Sequence, residues 1–180
     1  MSDLDILDQT TLRIAGAVQE SIVDGPGIRY VIFTQGCPFH CKGCHNQQSW
    51  DFNGGLEVRL KVLYDEMKRD PLVGGVTFSG GEPFIQPKPL TVFAKIVKAQ
   101  GYSLWSYTGF TFEKLLDNPD RKALLEQLDV VVDGQFILSK KSLDLDFRGS
   151  SNQRIIDVQQ SLKTGKIVLA SGFVGERDNK

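Results

Sequence analysis

The sequence predicts an α/β fold in which mainly parallel strands form an incomplete, TIM-like barrel. Short apolar runs rich in β-branched and aromatic residues alternate with segments of helical periodicity. The runs that read as buried strands are Tyr30–Phe33, Val76–Phe78, Ser103–Trp105 and Val130–Val132. Alternating strands and helices predict right-handed βαβ units. The chain has 180 residues, fewer than the ~250 typical of a complete eight-stranded barrel.

Three helices are predicted around these strands by apolar residues at three- and four-residue spacing. Their apolar positions are Leu56, Leu60, Leu63, Tyr64 and Met67 in the first, Leu90, Phe93, Ala94 and Val97 in the second, and Leu124, Leu125 and Leu128 in the third. Gly101 is a good C-terminal stop for the second helix, and Asp120 is a candidate N-cap for the third. The helices therefore connect strands of a parallel sheet.

The two ends of the chain are predicted to differ from this regular core. Ahead of it, Leu12–Val18 predicts a strand of its own. After the last core strand no strong amphipathic helix follows, and Ile155-Ile156 and Ile167–Leu169 predict short strands reached through polar loops. The charged end Glu176–Lys180 is predicted to be solvated. We expect one domain over residues 1–180, with an N-terminal strand segment at about 1–22 and a loop-rich part at about 134–180.

The charge pattern argues against several classes of partner. A formal net charge of -1 gives no general attraction to nucleic acid or to an anionic membrane. The first residues include Asp3, Asp5 and Asp8, which do not suit a signal peptide. No apolar run approaches the ~20 residues of a membrane span. We therefore expect a cytoplasmic protein with no direct nucleic-acid or membrane partner.

The three cysteines form the most informative motif of the sequence. Cys37, Cys41 and Cys44 have the spacing Cys-x3-Cys-x2-Cys, which is a poor disulfide framework and predicts a metal site. Soft thiolates select iron–sulfur clusters, zinc or copper(I). Structural zinc and ordinary four-iron clusters take four ligands. Because the chain has no fourth cysteine, one metal position is left open, as in catalytic sites. A zinc loop with His40 or His45 as its fourth ligand is the alternative.

Glycines and polar residues follow the carboxyl end of each predicted core strand. These segments are Gln35–Cys37, Ser79–Glu82, Ser106–Gly109 and Asp133-Gly134. Barrel-like folds place their active sites at this rim, so Ser106 and Asp133 are candidate contacts for a ribose or an adenine. A helix cap at Ser106 and a turn at Asp133 are equally good interpretations.

The cysteine motif resembles that of the radical S-adenosylmethionine superfamily, and the chain is similar to its glycyl-radical-enzyme activases. Asp24–Arg29, Gln35–Cys37 and Cys44–Asn46 carry this likeness. The resemblance implies a radical-SAM core in which the three cysteines hold three irons of a 4Fe-4S cluster. The fourth iron would bind the amino and carboxylate groups of S-adenosylmethionine. We assign no chemical step to Asp24 or Arg29.

The same resemblance implies which other residues contact the S-adenosylmethionine. The glycine-rich turn Gly80–Pro83 matches the segment of the superfamily that receives the methionine amino group. Within it, Glu82 would be the acceptor for that group. Gly43 stands where many members of the superfamily have an aromatic residue, and its backbone would meet the adenine. The implied cofactor-binding residues are Gly43, Cys44, His45, Gly80, Gly81, Glu82, Ser106 and Asp133.

Three later segments are similar to those activases that act on anaerobic ribonucleotide reductases. They are Leu104–Gly109, Val131–Gly134 and Phe147–Gln153. The resemblance implies that the cluster reduces the sulfonium and that the 5′-deoxyadenosyl radical takes a hydrogen atom from a glycine of the reductase. The implied partners are the large subunit of that reductase and a low-potential electron donor such as a flavodoxin. Another glycyl-radical enzyme, such as pyruvate formate-lyase, is an alternative target, and a non-catalytic zinc-binding interaction protein is an alternative of another class.

Overall fold

The computed structural model describes residues 1–173 and contains a seven-stranded sheet. Its strands are β1 (Thr11–Ser21), β2 (Arg29–Thr34), β3 (Leu56–Arg59), β4 (Gly75–Gly80), β5 (Ser103–Tyr107), β6 (Val130–Asp133) and β7 (Arg154–Asp157), in the order β3-β1-β2-β4-β5-β6-β7. The central strands β2, β4, β5 and β6 are parallel, whereas β1, β3 and β7 pair antiparallel at the two sides. Within residues 1–173 no pairing joins β3 to β7. The predicted α/β fold with an incompletely closed barrel is confirmed.

Six α-helices accompany the sheet within the described residues. They are α1 (Asp3–Gln9), α2 (Leu60–Arg69), α3 (Pro87–Ala99), α4 (Phe112–Leu116), α5 (Pro119–Leu125) and α6 (Val158–Thr164). One large apolar core joins them to one face of the sheet, and a smaller cluster around Trp105 and Val132 lies on the other face. No helix among residues 1–173 is long and apolar enough to cross a membrane.

The four core strands confirm their prediction, whereas two elements nearer the N-terminus differ from it. Leu56 does not begin the first predicted helix, because it lies in β3 and its side chain is 70% exposed. β3 pairs with β1, and α2 starts only at Leu60. The helix α1 was not predicted; its capping box is formed by Ser2 and Asp5, which accept from each other's backbone N–H groups.

Several later elements also begin or end at residues other than those predicted. The N-cap of α5 is Asn118 rather than Asp120, and Leu128 lies buried beyond the end of that helix. Ile155-Ile156 lies in β7 as predicted, whereas Ile167–Leu169 contributes only a single bridge to the sheet. The short helix α6 occupies the part predicted to lack a strong helix. The predicted solvated end Glu176–Lys180 lies outside the described residues, and the single domain over 1–180 stays a prediction.

Alternation along the parallel strands decides which side chains face the helices. Leu104 and Val131 belong to the core under the helices, so Ser106 and Asp133, two positions further on, face the same way. Trp105 and Val132 face the opposite, inner side of the curved sheet. Residues one position apart at a strand end therefore reach different environments.

Candidate active site at the cysteine loop

A cavity of about 550 Å³ lies at the carboxyl ends of the parallel strands. Its lining includes Cys37, Cys41, Cys44, the turn Gly80–Glu82 and Tyr107. This volume is typical of sites for small molecules and cofactors. The predicted association of the cysteine motif with the strand-end rim is thus present in the fold.

The cysteine loop, residues 35–50, is closed at its base by backbone hydrogen bonds. The Gly36 N–H donates to the Ser49 carbonyl at 2.7 Å, and the Cys37 N–H donates to the Trp50 carbonyl at 3.1 Å. A tight turn follows, in which the Cys44 N–H donates to the Cys41 carbonyl at 3.1 Å. The closed base holds the three thiols against one cavity.

Burial favours the protonated form of two of the three thiols, those of Cys37 and Cys41. Burial raises the pKa of Cys37 and that of Cys41, and the negative charge of Glu82 adds to both shifts, while backbone N–H groups partly oppose them. Only a thiolate is a good metal ligand. Binding of a metal therefore has to release protons from these thiols.

The three thiols of the cavity have the donor chemistry of an iron–sulfur cluster site. Among residues 1–173, no three His, Cys, Asp or Glu side chains come together in the manner of a mononuclear site. The thiolates of a cluster bind different irons, so they have to surround it rather than meet at one point. His40 stacks on Trp50 with ring centroids 4.6 Å apart, and the His45 ring lies 6.0 Å from that of Phe136. Three soft donors facing one cavity match the cluster chemistry.

The glycine-rich turn packs directly on the base of the cysteine loop. Gly80 has a φ of +95°, and a Cβ there would lie 2.6 Å from the Thr34 nitrogen. A Cβ on Gly81 would collide with the Gly36 carbonyl oxygen. The N–H groups of Gly81 and Glu82 donate to the carbonyls of Thr34 and Gly36, each at 2.8 Å. Close contact with the end of β2 is therefore the structural reason for Gly80, and contact with the cysteine loop is the reason for Gly81.

Glu82 is a buried carboxylate that joins two strand ends. Its side chain is 1% exposed. Oε1 accepts from the Phe84 N–H at 3.0 Å and the Thr108 hydroxyl at 2.8 Å, and Oε2 accepts from the Gly109 N–H at 2.7 Å. Burial raises its pKa to about 7, against the opposing effect of these hydrogen bonds. The residue therefore brings to the cavity wall a carboxyl group that is held in place and titrates near neutral pH.

Ser106 and Asp133 are not brought to this cavity. The Ser106 hydroxyl donates to the Tyr107 carbonyl at 3.0 Å. Asp133 accepts from the Phe112 N–H at 2.8 Å and from the Arg154 guanidinium, with Nε at 3.0 Å. Both residues face the helices, and the neighbouring Tyr107 and Gly134 line the cavity in their place. The predicted contacts of Ser106 and Asp133 with a nucleoside have no support in this geometry and stay predictions.

Asp24 lines the cavity, although we assigned it no chemical step from the sequence. Its carboxylate accepts from the Ser21 hydroxyl at 2.5 Å, and its carbonyl accepts from the Thr77 hydroxyl at 2.7 Å. Thr77 in turn accepts from Nε of Arg29, a buried guanidinium whose pKa is lowered to about 10 by burial. The turn before β2 is thus attached to the inner face of the sheet. The Asp-Gly-Pro-Gly composition indicated only a turn.

Two loops after β6 complete the wall of the cavity. Gln135 and Phe136 line it, and a Cβ on Gly43 would lie 2.9 Å from Cδ1 of Leu138, so the 134–142 loop packs on the cysteine loop. Gln153 connects the 147–153 loop to it. Its Oε1 accepts from the Gly149 N–H at 2.9 Å, and its Nε2 donates to the Gly134 carbonyl at 3.1 Å. The polar run Phe147–Gln153, which had no physical signature in the sequence, is therefore a hydrogen-bonded support for the 134–142 loop.

Comparison with known proteins gives matches over most of the chain. The family described as 4Fe-4S single cluster domain matches residues 23–156. An anaerobic ribonucleoside-triphosphate reductase-activating protein from Vibrio cholerae is 35% identical over 143 residues, which cover 74% of this chain and 90% of the relative. The protein of that name from Haemophilus influenzae is 32% identical over 148 residues, with the same coverage.

Two further comparisons are more limited. A pyruvate formate-lyase-activating enzyme from Clostridium pasteurianum is 44% identical over 94 residues, which cover 49% of this chain and 40% of that enzyme. Among solved structures, QueE from Escherichia coli aligns with a TM-score of 0.47 and 19% identity, over 62% of this chain and 57% of QueE. The sequence relatives therefore carry the assignment of the family.

Proposed function

Because this chain belongs to the 4Fe-4S single cluster domain family and, within it, to the anaerobic ribonucleoside-triphosphate reductase-activating proteins, we propose that it generates a glycyl radical on such a reductase. It does so by reductive cleavage of S-adenosylmethionine at a 4Fe-4S cluster, which yields a 5′-deoxyadenosyl radical. The observation that carries this proposal is the single cavity that joins all three cysteines to the turn Gly80–Glu82.

We propose that Cys37, Cys41 and Cys44 hold the cluster and leave one iron free for S-adenosylmethionine. When bound, the cluster supplies one electron to the sulfonium of S-adenosylmethionine. The protein positions the reactants around it. Three free thiols persist in a reducing compartment, which supports a cytoplasmic location.

We assign the methionine end of S-adenosylmethionine to the wall that contains Glu82. This carboxylate accepts three hydrogen bonds from the protein, and it retains lone pairs for an ammonium group. Because it is buried, its charge acts through little solvent and attracts a cation more strongly than an exposed carboxylate would. The Gly80–Gly81 backbone keeps this wall in contact with the cysteine loop.

In this proposal, the glycine-bearing loop of the reductase large subunit enters the cavity. Val23 and Leu143 line the cavity and are well exposed, so they offer apolar contact to an entering loop. A low-potential donor such as a flavodoxin supplies the electron. The alternative target, pyruvate formate-lyase, has weaker support because the activating enzyme of that name matches only 49% of this chain.

The first test is reconstitution with iron and sulfide under anaerobic conditions, followed by reduction with dithionite and addition of S-adenosylmethionine. We expect 5′-deoxyadenosine and methionine as products. Replacement Cys41→Ser should lower the yield by more than about 100-fold, because even changes outside the ligand shell of a metal site cost 10–100-fold. Lys42→Ala is the matched control, since Lys42 is the exposed neighbour of Cys41 and does not line the cavity.

The second test identifies the partner by electron paramagnetic resonance. The loaded chain should produce a glycyl radical on the anaerobic reductase and little on pyruvate formate-lyase. The reverse preference would move the assignment to the alternative target. Zinc in place of iron in the purified chain, with no cleavage of S-adenosylmethionine after reconstitution, would contradict the proposed function as a whole.

A further inference from the structure

The side chain of Gln135 lies beside the sulfur of Cys41. The Cys41 thiol donates to Oε1 of Gln135 over 3.9 Å, within the range of a sulfur hydrogen bond. A thiolate that binds iron has no proton to donate and can only accept. A half-turn of the amide exchanges its oxygen and nitrogen, which presents an N–H donor to that sulfur. The pair is therefore arranged for an N–H···S hydrogen bond in the loaded protein.

The backbone around Gln135 is fixed from both sides. Nδ2 of Asn152 donates to the Gln135 carbonyl at 2.8 Å, and Nε2 of Gln153 donates to the Gly134 carbonyl at 3.1 Å. The Gly134 N–H in turn donates to the carbonyl of Phe110 at 3.1 Å. Through these contacts the 147–153 loop holds the backbone of Gln135 next to the cysteine loop. The Gln135 side chain itself is exposed.

A second donor from the same segment points to the same sulfur. The backbone N–H of Phe136, the residue after Gln135, is hydrogen-bonded to the Cys41 sulfur. Phe136 is held by close packing, since a Cβ on Gly149 would lie 2.9 Å from its ring. The 134–142 loop thus brings the backbone N–H of Phe136 and the side-chain amide of Gln135 to one cysteine of the three.

We propose that Gln135 donates a hydrogen bond to the Cys41 sulfur of the loaded cluster, that Asn152 positions it, and that this contact raises the cluster's reduction potential. Hydrogen bonds to the sulfurs are among the determinants of that potential, because they stabilise the additional negative charge of the reduced state. The inference rests on the proposed function, in that Cys41 has to be a cluster ligand.

The test is a redox titration of the loaded protein, followed by electron paramagnetic resonance. Gln135→Leu removes the donor at similar size, so the potential should fall. At a fixed applied potential, we expect the ratio of reduced to oxidised cluster to drop roughly two- to tenfold, the range of one hydrogen bond; tenfold corresponds to about 59 mV for one electron. Gln47→Leu is the matched control, because Gln47 is an exposed glutamine of the cysteine loop outside the cavity.

Two further variants separate this role from a structural one. Gln135→Lys places a cation near the sulfur and should move the potential upward, opposite to Gln135→Leu. Asn152→Ala should lower the potential on its own and should have no additional effect when combined with Gln135→Leu, since it acts through that side chain. Additive shifts in the double variant would contradict the positioning role of Asn152.

Iron and sulfide content distinguishes failure of this inference from failure of the proposed function. If the unaltered protein binds no cluster, the proposed function fails and the inference falls with it. If all variants load normally and Gln135→Leu titrates at the potential of the unaltered protein, the inference is overturned while the function stands. Loss of the cluster from Gln135→Leu would also overturn it, in favour of a purely structural contact.

Discussion

At the scale of single residues, Glu82 is a buried ionisable group in the wall of the cavity. Its carboxylate is buried and yet accepts three hydrogen bonds. The burial outweighs the hydrogen bonds, because the pKa rises from 4.5 to about 7 rather than falling. Ionisation of this side chain near neutral pH therefore costs the fold stability, which agrees with the binding role that we propose for it.

We predict that Glu82→Gln changes how stability depends on pH. A carboxyl group with a raised pKa binds more protons in the folded than in the unfolded chain between pH 4.5 and about 7. The free energy of unfolding of the unaltered chain should therefore lose roughly 3 kcal/mol from this group as pH rises through that window. The variant lacks this loss, so its stability relative to the unaltered chain should improve with rising pH. Urea unfolding of the metal-free protein at several pH values measures the slope.

A control of opposite sign is available in Glu113. Its hydrogen bond to Arg154 lowers its pKa, so its contribution to stability is present at higher pH and is lost as pH falls. Glu113→Gln should therefore become relatively less stable as pH rises. Parallel slopes for Glu82→Gln and Glu113→Gln would contradict the assignment of a raised pKa to Glu82.

At the scale of elements, the sequence identified the parallel strands but could not identify their faces. Leu104 and Trp105 are both apolar and both buried, so the run has no alternation from which to read an inward side. The sequence therefore suggested Ser106 as a contact in the cavity, whereas its neighbour Tyr107 is the residue that lines it. The cysteine motif was recognisable because its three residues lie close together in the chain, whereas Gln135 reaches Cys41 only through the fold.

The sequence also left the exact starts of the helices undetermined. The spacing of Leu56 from Leu60 fits a helix, but hydrogen bonding to β1 makes Leu56 part of an edge strand. Asp120 and Asn118 are both good capping residues, and only the geometry shows that Asn118 accepts from the Arg121 N–H. Periodicity predicts that a helix is present, while long-range pairing and local caps determine where it begins.

The link between α4, β6 and β7 leads to a prediction at this scale. Arg154 binds both Asp133 and Glu113, at 2.5 and 2.9 Å, and Asp133 is only 1% exposed. Arg154→Met leaves the Asp133 carboxylate without its cation, and we expect a loss of about 2–3 kcal/mol in the free energy of unfolding. This is below the 3–5 kcal/mol of a fully buried pair because Arg154 remains partly exposed. Denaturant titration at neutral pH measures it.

Arg59→Met provides the comparison for that loss. Arg59 pairs with Asp8 at 2.8 Å, but both side chains are more than half exposed. Exposed pairs contribute about 0–1 kcal/mol, so this variant should remain close to the unaltered chain. Equal losses in the two variants would show that the Arg154 network is no more than a surface contact.

At the scale of the whole molecule, the site lies where regular structure gives way to loops. The parallel strands supply a rigid floor, with residues of β2, β4, β5 and β6 in the buried core. The cavity above it is assembled from several stretches of chain, which include the cysteine loop and the 134–142 and 147–153 loops. Continuous strand pairing stabilises the parallel strands below the cavity. The loops are held by a few hydrogen bonds and, in the proposed function, by the cluster that binds between the three thiols.

This division predicts that removal of the metal loosens the loops and leaves the sheet intact. A ligand that binds only the folded state adds its binding free energy to stability, and the cluster that we propose on the three cysteines would also restrain the segment that carries them. Hydrogen exchange after chelation should therefore accelerate at residues 37–46 and, through Gln135, at the 134–142 loop. Amides of β4 and β5 should keep their protection, because core strands open only on global unfolding. Uniform acceleration along the chain would instead mean that the cluster is required for the fold itself, and Cys41→Ser should then fail to give a cooperative unfolding transition.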